Sequence, residues 1–237
     1  MDDIGSYQEG HLYINEDRYT KLLETMKFKL NIIVNNNILE NLKICDIGCA
    51  TGEFLYNLHK SYPNNKYYGY DVDDKLINIA RNKCNNCNNC KFDIGNILSS
   101  KLFSENTFDI IICSGVVQIF ENYKLCYDNL IKWTKKGGKI YVFGMFNDNP
   151  YDCCIKIKHT DSNDYQEGWH NISKESIIKY VNNNIQYYKF HKFNMPIDVE
   201  KKDNLLRAWT IKLHDDSRIL TNGIGIIQNM ELLEIIV

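Results

Sequence analysis

Nowhere in the 237 residues does an apolar run approach the ~20 residues that a bilayer-spanning helix needs, so no membrane association by such a span is expected. The opening MDDIGSYQEG has neither the basic start nor the apolar core of a secretory leader. No excess of one charge sign is present: 28 Lys and Arg face 30 Asp and Glu, a formal net charge of −2. Without a basic stripe, attraction to a phosphate backbone is not encoded, and no nucleic-acid partner is expected. Linkers and internal repeats are also missing. These absences point to a cytoplasmic chain, monomer or homodimer, whose 44 % hydrophobic content supports one sizeable core.

Cysteine, by contrast, is plentiful. Nine cysteines form an odd count without a secretion signal, which argues against a disulfide framework. Cys45, Cys49 and Cys113 lie in or beside apolar runs, where a thiol behaves as a small apolar side chain. The run CNNCNNC places Cys84, Cys87 and Cys90 three residues apart. A four-cysteine metal site would need one more ligand, and no second C-x-x-C lies nearby. Asn runs recur at 35–37 and 182–184, so an Asn-biased loop accounts for the segment and no metal is expected.

Residues 17–34 carry Tyr19, Leu22, Leu23, Met26, Leu30 and Ile33 at helical spacing. Residues 43–58 then read KICDIGCATGEFLYNL. Lys43–Ile47 has the short apolar, β-branched character of a buried parallel strand. Gly48, Ala50 and Gly52 form a small-residue turn, and Glu53 opens a helix with Phe54, Leu55 and Leu58 on one face. Such a junction brings free backbone N–H groups close to a ligand. A dinucleotide fingerprint would need glycines at 50 and 53, where Ala50 and Glu53 stand. An acidic residue opening the helix suits a ligand with an ammonium group and no pyrophosphate.

Further on, KYYGYDV (66–72) predicts a second strand, and Asp73 or Asp74 caps a helix reaching about Lys83. A short strand follows around Lys91–Ile94, then the continuously apolar FDIIICS (108–114). A helix is expected over Asn122–Lys135, ending at Gly137-Gly138, before a fifth strand at 139–146. Residues 173–182 predict a helix capped by Ser173, and 185–194 a strand. LLRAWTIKL, HDDS and RILTNG predict an antiparallel hairpin, with ELLEIIV as the final strand. Alternation of this kind implies a doubly wound, mostly parallel α/β sheet with its ligand beyond the carboxyl ends of the strands.

The pattern D-I-G-x-[AG]-x-G resembles motif I of the class I S-adenosylmethionine (SAM) dependent methyltransferases. That resemblance covers roughly residues 40–195 and implies a seven-stranded sheet whose last strand, ELLEIIV, is antiparallel. The whole chain is then one domain: an N-terminal helical lid segment (1–40), the core (41–195), a hairpin insertion (196–230) and the last strand (231–237). The resemblance implies SAM as cofactor, held by Asp46, Gly48, Cys49 and Gly52. Asp71, ending the second strand, would accept the two ribose hydroxyls, and Val72 would lie on the adenine face. Asn96 stands where family members often carry an aspartate on the adenine amine, followed by Ile97, with Asp93 a rival in the same loop. Cys113 and Ser114 would run past the methionine end.

Gln118-Ile119-Phe120 replaces the histidine pair of several family members. The chain also lacks N-P-P-[YF] and a Pro-Cys nucleophile, which disfavours nucleobase acceptors. A small-molecule oxygen or nitrogen is the expected acceptor, with a protein side chain or a non-catalytic SAM-binding module as alternatives. A hydroxyl acceptor would need a base, for which His11 and His170 are the candidates; a carboxylate acceptor needs none. Tyr7, Tyr13, Trp169 and Trp209 could wall the acceptor, and Arg18 and Arg207 could bind an acidic group.

Overall fold

The computed structural model describes residues 16–203 and 206–237 of the chain. Helix α1 (Glu16–Asn35) leads into β1 (Lys43–Ile47), α2 (Glu53–Ser61), β2 (Lys66–Asp71), α3 (Asp74–Lys83) and β3 (Cys90–Ile94). Then come β4 (Phe108–Ser114), α4 (Tyr123–Trp133) and β5 (Thr134–Met145), the short β6 (Lys156–Ile157) and β7 (Gln166–Glu167), α5 (Lys174–Val181) and β8 (Tyr187–Lys192). The hairpin β9 (Trp209–Lys212) and β10 (Arg218–Thr221) precedes β11 (Met230–Ile236). Seven strands form one sheet in the order β3-β2-β1-β4-β5-β11-β8. The neighbours from β3 through β5 pair parallel, whereas β11 pairs antiparallel with both β5 and β8. This is the expected doubly wound, seven-stranded architecture.

Period-two alternation along the buried strands feeds two cores. Ile44, Ile110 and Ile112 join Ile33, Phe54, Leu58 and Ile77 on the α1–α2–α3 face. Cys45, Ile47, Ile111 and Cys113 join Tyr127, Leu130, Trp133 and Val181 on the α4–α5 face. Each fully buried aliphatic side chain contributes roughly 1.5–3 kcal/mol, so the two layers supply most of the stabilisation. Caps fall where the sequence placed them: Asp73 accepts from Lys75 and Leu76 N–H groups, and Ser173 from that of Glu175.

Two expectations need correction. Helix α4 stops at Trp133, short of Lys135 and the two glycines, and the strand begins at Thr134. Thr134 closes the helix with its hydroxyl on Leu130 O at 2.7 Å and already pairs with Phe108. The following residues form an irregularity in the β4–β5 register, relieved by Gly137 at φ 74°. The small β6–β7 ladder was not foreseen either, because two-residue strands of polar character leave no period to read.

Glu234 fastens the far side of the sheet. Buried on β11, it accepts from Tyr141 on β5 at 3.1 Å and Asn36 beyond α1 at 2.9 Å, and it pairs with His191 on β8 at 2.9 Å and Lys139 at 3.3 Å. Burial pushes the carboxyl up, but the His191, Lys139 and Tyr141 contacts outweigh it and hold the group below the usual carboxylate range. Helix α1 therefore ends near the amino half of β5 and runs back along the sheet, so its beginning points to the carboxyl ends of the strands.

Candidate functional site

At the carboxyl end of β1 the chain turns sharply. Gly48, Ala50 and Gly52 all adopt positive φ, at 77°, 47° and 71°. The N–H groups of Gly48 and Cys49 donate to Tyr70 O at 2.7 and 3.0 Å, lashing the turn to β2. A Cβ on Gly48 would stand 2.2 Å from a methyl of Val116, and one on Gly52 would meet the Phe92 ring at 2.8 Å. Glycine is required at both by backbone conformation and by space. Gly52 also caps α2 without a side chain, so the first N–H groups of that helix gain no side-chain cap bond there.

Asp71 closes β2 beside this turn. Its Oδ2 accepts the Ala50 N–H at 2.9 Å and its Oδ1 the Asp73 N–H at 3.1 Å. Those bonds fix the carboxylate plane while leaving further lone-pair positions open for a ligand. Burial raises its pKa, partly offset by the backbone N–H groups of Asp73, Ala50 and Val72. Val72 follows, 47 % exposed, an apolar surface next to an anchored acid. On the third strand's loop, Asn96 Oδ1 accepts the Leu98 N–H at 2.9 Å, and Ile97 is packed in the core, its carbonyl held by Asn129 at 2.7 Å. Asp93 instead turns to Arg81, 3.0 Å away. Of the two rivals in this loop, Asn96 is thus the one not committed to an ion pair.

The sequence reading missed a third group. Lys29 of α1 is buried, its ammonium donating to Ser114 Oγ at 2.9 Å and lying 4.9 Å from the Phe54 ring centre and 5.5 Å from that of Phe143. Asp46 is buried on the same face of β1, and its Oδ1 has no hydrogen-bond partner among the described residues. Burial pushes the Asp46 carboxyl up to about 7, with Lys29 opposing and Asp71 assisting that rise. Burial likewise lowers the Lys29 pKa, against the pull of Asp46 and Cys113. A lysine three residues after Met26 and four before Ile33 sits on the apolar stripe of α1, the one signal that could have found it.

Strand alternation separates Cys113 from Ser114: Ser114 faces Lys29, whereas the Cys113 thiol is buried in the α4–α5 core. Burial holds the Cys45, Cys49 and Cys113 thiols well above their usual pKa, so none supplies a thiolate nucleophile.

The acceptor-side expectations fare unevenly. His11 and Tyr13, like Tyr7, lie outside the described residues. His170 is 0 % exposed, its Nδ1 accepting the Ile155 N–H at 2.9 Å, its backbone N–H on Gln118 O at 2.8 Å, and its Nε2 3.0 Å from Glu167 Oε2. So enclosed, the ring ties the segment after β5 to the turn after β4. Trp169 next to it is half-buried. Trp209 stands on β9 with the Lys201 ammonium 4.9 Å above its ring, in a hairpin whose Leu220 packs into the α1 core. Gln118, buried against Gly144 and with no partner for its Oε1 among the described residues, is the polar group standing where several family members carry a histidine pair.

A family model described as a methyltransferase domain matches residues 38–202. Malonyl-[acyl-carrier protein] O-methyltransferase 2 of Ilyobacter polytropus is 27 % identical over 135 residues, which cover 57 % of this chain and 51 % of that protein. The chain spans about half the length of the curated relatives it matches in this way. Among solved structures, the YcgJ protein of Bacillus subtilis superposes with a TM-score of 0.61 at 13 % identity, covering 89 % of this chain and 98 % of that one. Magnesium protoporphyrin IX methyltransferase of Synechocystis PCC 6803, with bound SAM, gives 0.59 at 14 % identity over 94 % and 83 %. At such identities these two likenesses speak to the fold alone.

Proposed function

The chain belongs to the methyltransferase-domain family and is in that sense a SAM-dependent methyltransferase, and we propose that it methylates an oxygen or nitrogen of a small-molecule acceptor in the cytoplasm. One observation carries the cofactor side: the glycine turn, the doubly anchored Asp71 and the orphaned Asp46 Oδ1 converge at the carboxyl edge of β1, β2 and β4. A turn of left-handed backbone that exposes N–H groups, and a buried carboxylate oxygen without a partner among the described residues, fit a nucleoside carrying an ammonium group. Asp71 would take the ribose hydroxyls, Val72 the adenine face, Asn96 and Ile97 the far edge of the base, and Asp46 the ammonium. Cys49 packs behind the turn, and Ser114 with Lys29 borders the methionine end. Bound SAM supplies a methyl group already activated on a sulfonium. What remains for the chain is to align the acceptor and keep water out.

Three segments outside the core alternation are rooted at that edge. Helix α1 enters from it, residues 146–173 leave β5 there, and residues 193–229 leave β8 there. They offer the material to roof an acceptor, Trp169 and Trp209 among it. With His170 enclosed, a carboxylate oxygen, which needs no base, fits the described residues better than a hydroxyl. The name of one similar protein, a malonyl-[acyl-carrier protein] O-methyltransferase, agrees with an oxygen acceptor. Incubation with tritiated-methyl SAM and a cell extract tests the reading. Label is expected in the dialysable fraction; label confined to precipitated protein would sink it.

Asp46 gives a pH signature. Its carboxyl titrates near 7, far above its ordinary 3.8. If the ionised form holds the ligand's ammonium, affinity for S-adenosylhomocysteine rises about eightfold from pH 6 to pH 7.5, as the ionised fraction grows. Calorimetry at several pH values checks this, and Asp46→Asn should bind weakly with a flat profile. Stability runs the other way. The unfolded carboxyl ionises first, so Asp46 contributes a loss of stability as pH climbs from about 4 through 7, and the asparagine variant should lose less over that window.

A further inference from the structure

We infer that Cys84, Cys87, Cys90 and His59 form a structural zinc site at the end of the sheet opposite the glycine turn. The three cysteines follow one another on successive turns at the exit of α3, with the Cys87 N–H on Cys84 O at 2.9 Å and the Cys90 N–H on Cys87 O at 3.0 Å. Cys84 and Cys90 each have the side chains of the other two cysteines as neighbours. The fourth ligand comes from another element. His59, in the last turn of α2, brings a ring nitrogen to the Cys87 and Cys90 sulfurs, all three atoms within 4.8 Å of one another. Tetrahedral zinc with Zn–S of about 2.3 Å has ligand–ligand edges near 3.8 Å, a contraction that small side-chain rotations supply. His59 Nδ1 is buried without a hydrogen-bond partner among the described residues, an orphan that a metal bond would satisfy.

The loop is built rather than slack. Asn89 donates to Pro63 O at 2.6 Å and Asn65 O at 2.5 Å, and Asn65 donates to Leu39 O and Tyr62 O at 3.1 Å each. Asn89, one of the asparagines that suggested biased composition, thus helps hold the loop in place, and the missing ligand was invisible because it comes from a different helix. Four protein ligands make a closed site, which assigns the ion to structure and not to catalysis. Binding exchanges the thiol protons for the ion and pins edge strand β3 and α3 to α2.

The full chain, purified with reductant, is expected to carry about one zinc per molecule by elemental analysis. Chelation should lower its unfolding midpoint by about 4–10 °C. Metal-free protein titrated with cobalt(II) should show the visible bands of a tetrahedral thiolate complex. His59→Ala should shift those bands and weaken cobalt binding at least about tenfold, whereas replacing the exposed pair Cys153 and Cys154 by serine should leave the spectrum unchanged. Four results overturn the inference: no tetrahedral cobalt spectrum in the unmutated chain, iron and sulfide in place of zinc, a disulfide among the three cysteines, or loss of metal in the Cys153/Cys154 variant.

Discussion

Gly48→Val is expected to fold and yet lose S-adenosylhomocysteine, with affinity at least about a hundredfold below the parent. Two penalties meet at this position. Its φ of 77° lies in the left-handed region, where a β-branched residue is strained by roughly 1–2 kcal/mol. The new Cβ would also arrive 2.2 Å from a Val116 methyl, so the turn and the segment after β4 must part. Such a shift drags the Ala50 N–H away from Asp71 and re-aims the N–H groups entering α2, the features proposed to receive the ligand. The fold should survive, because Gly48 sits at the rim of two cores and contributes no buried side chain. Circular dichroism and calorimetry together separate the outcomes. A folded variant that binds with parental affinity would place the ligand elsewhere.

Asp71→Ala should cost roughly 1.5–3 kcal/mol of cofactor affinity, about 10- to 150-fold, the scale of hydrogen bonds to a charged group. Both oxygens are already oriented by backbone donors, so the parent loses little entropy on engaging a diol. The alanine variant additionally strands the Ala50 and Asp73 N–H groups, which should reduce stability as well. Asp71→Asn separates the effects: one amide oxygen can still accept, so its loss should be smaller than that of alanine. Affinity within twofold of the parent in the alanine variant would refute the ribose assignment.

The fold was legible because its signals were local and repeated. Buried strands such as Phe108–Ser114 announce themselves by unbroken apolar character, and Asp73, Ser173 and the HDDS turn mark boundaries through side-chain chemistry. The glycine turn and Asp71 were legible for the same reason, since each sits at a strand end. What escaped was non-local. Lys29 reads as one more polar residue until α1 is laid on the sheet, 85 positions in sequence from Ser114. His59 reads as surface until α2 and α3 lie side by side. His170 suggested a base, and only its partners Ile155 and Gln118 reveal a ring enclosed by the chain. The early end of α4 turned on a threonine hydroxyl competing with the helix, which composition does not weigh.

The antiparallel place of β11 governs how the sheet is completed during synthesis. Strand β8 forms its ladder with β11 alone, and β11 fills the gap between β8 and β5. As the ribosome delivers the chain, β1 through β5 and their helices can assemble as each crossover emerges. Strand β8 must wait with its backbone groups and Tyr188 and Phe190 unpaired until residues 230–236 have been made. Glu234 then engages Asn36, Lys139, Tyr141 and His191 together, so the arrival of β11 is also a latch linking the end of α1 to β5 and β8. Nascent chains halted before residue 230 are thus left with an open β5 edge and a waiting strand, the form of this protein most exposed to mispairing.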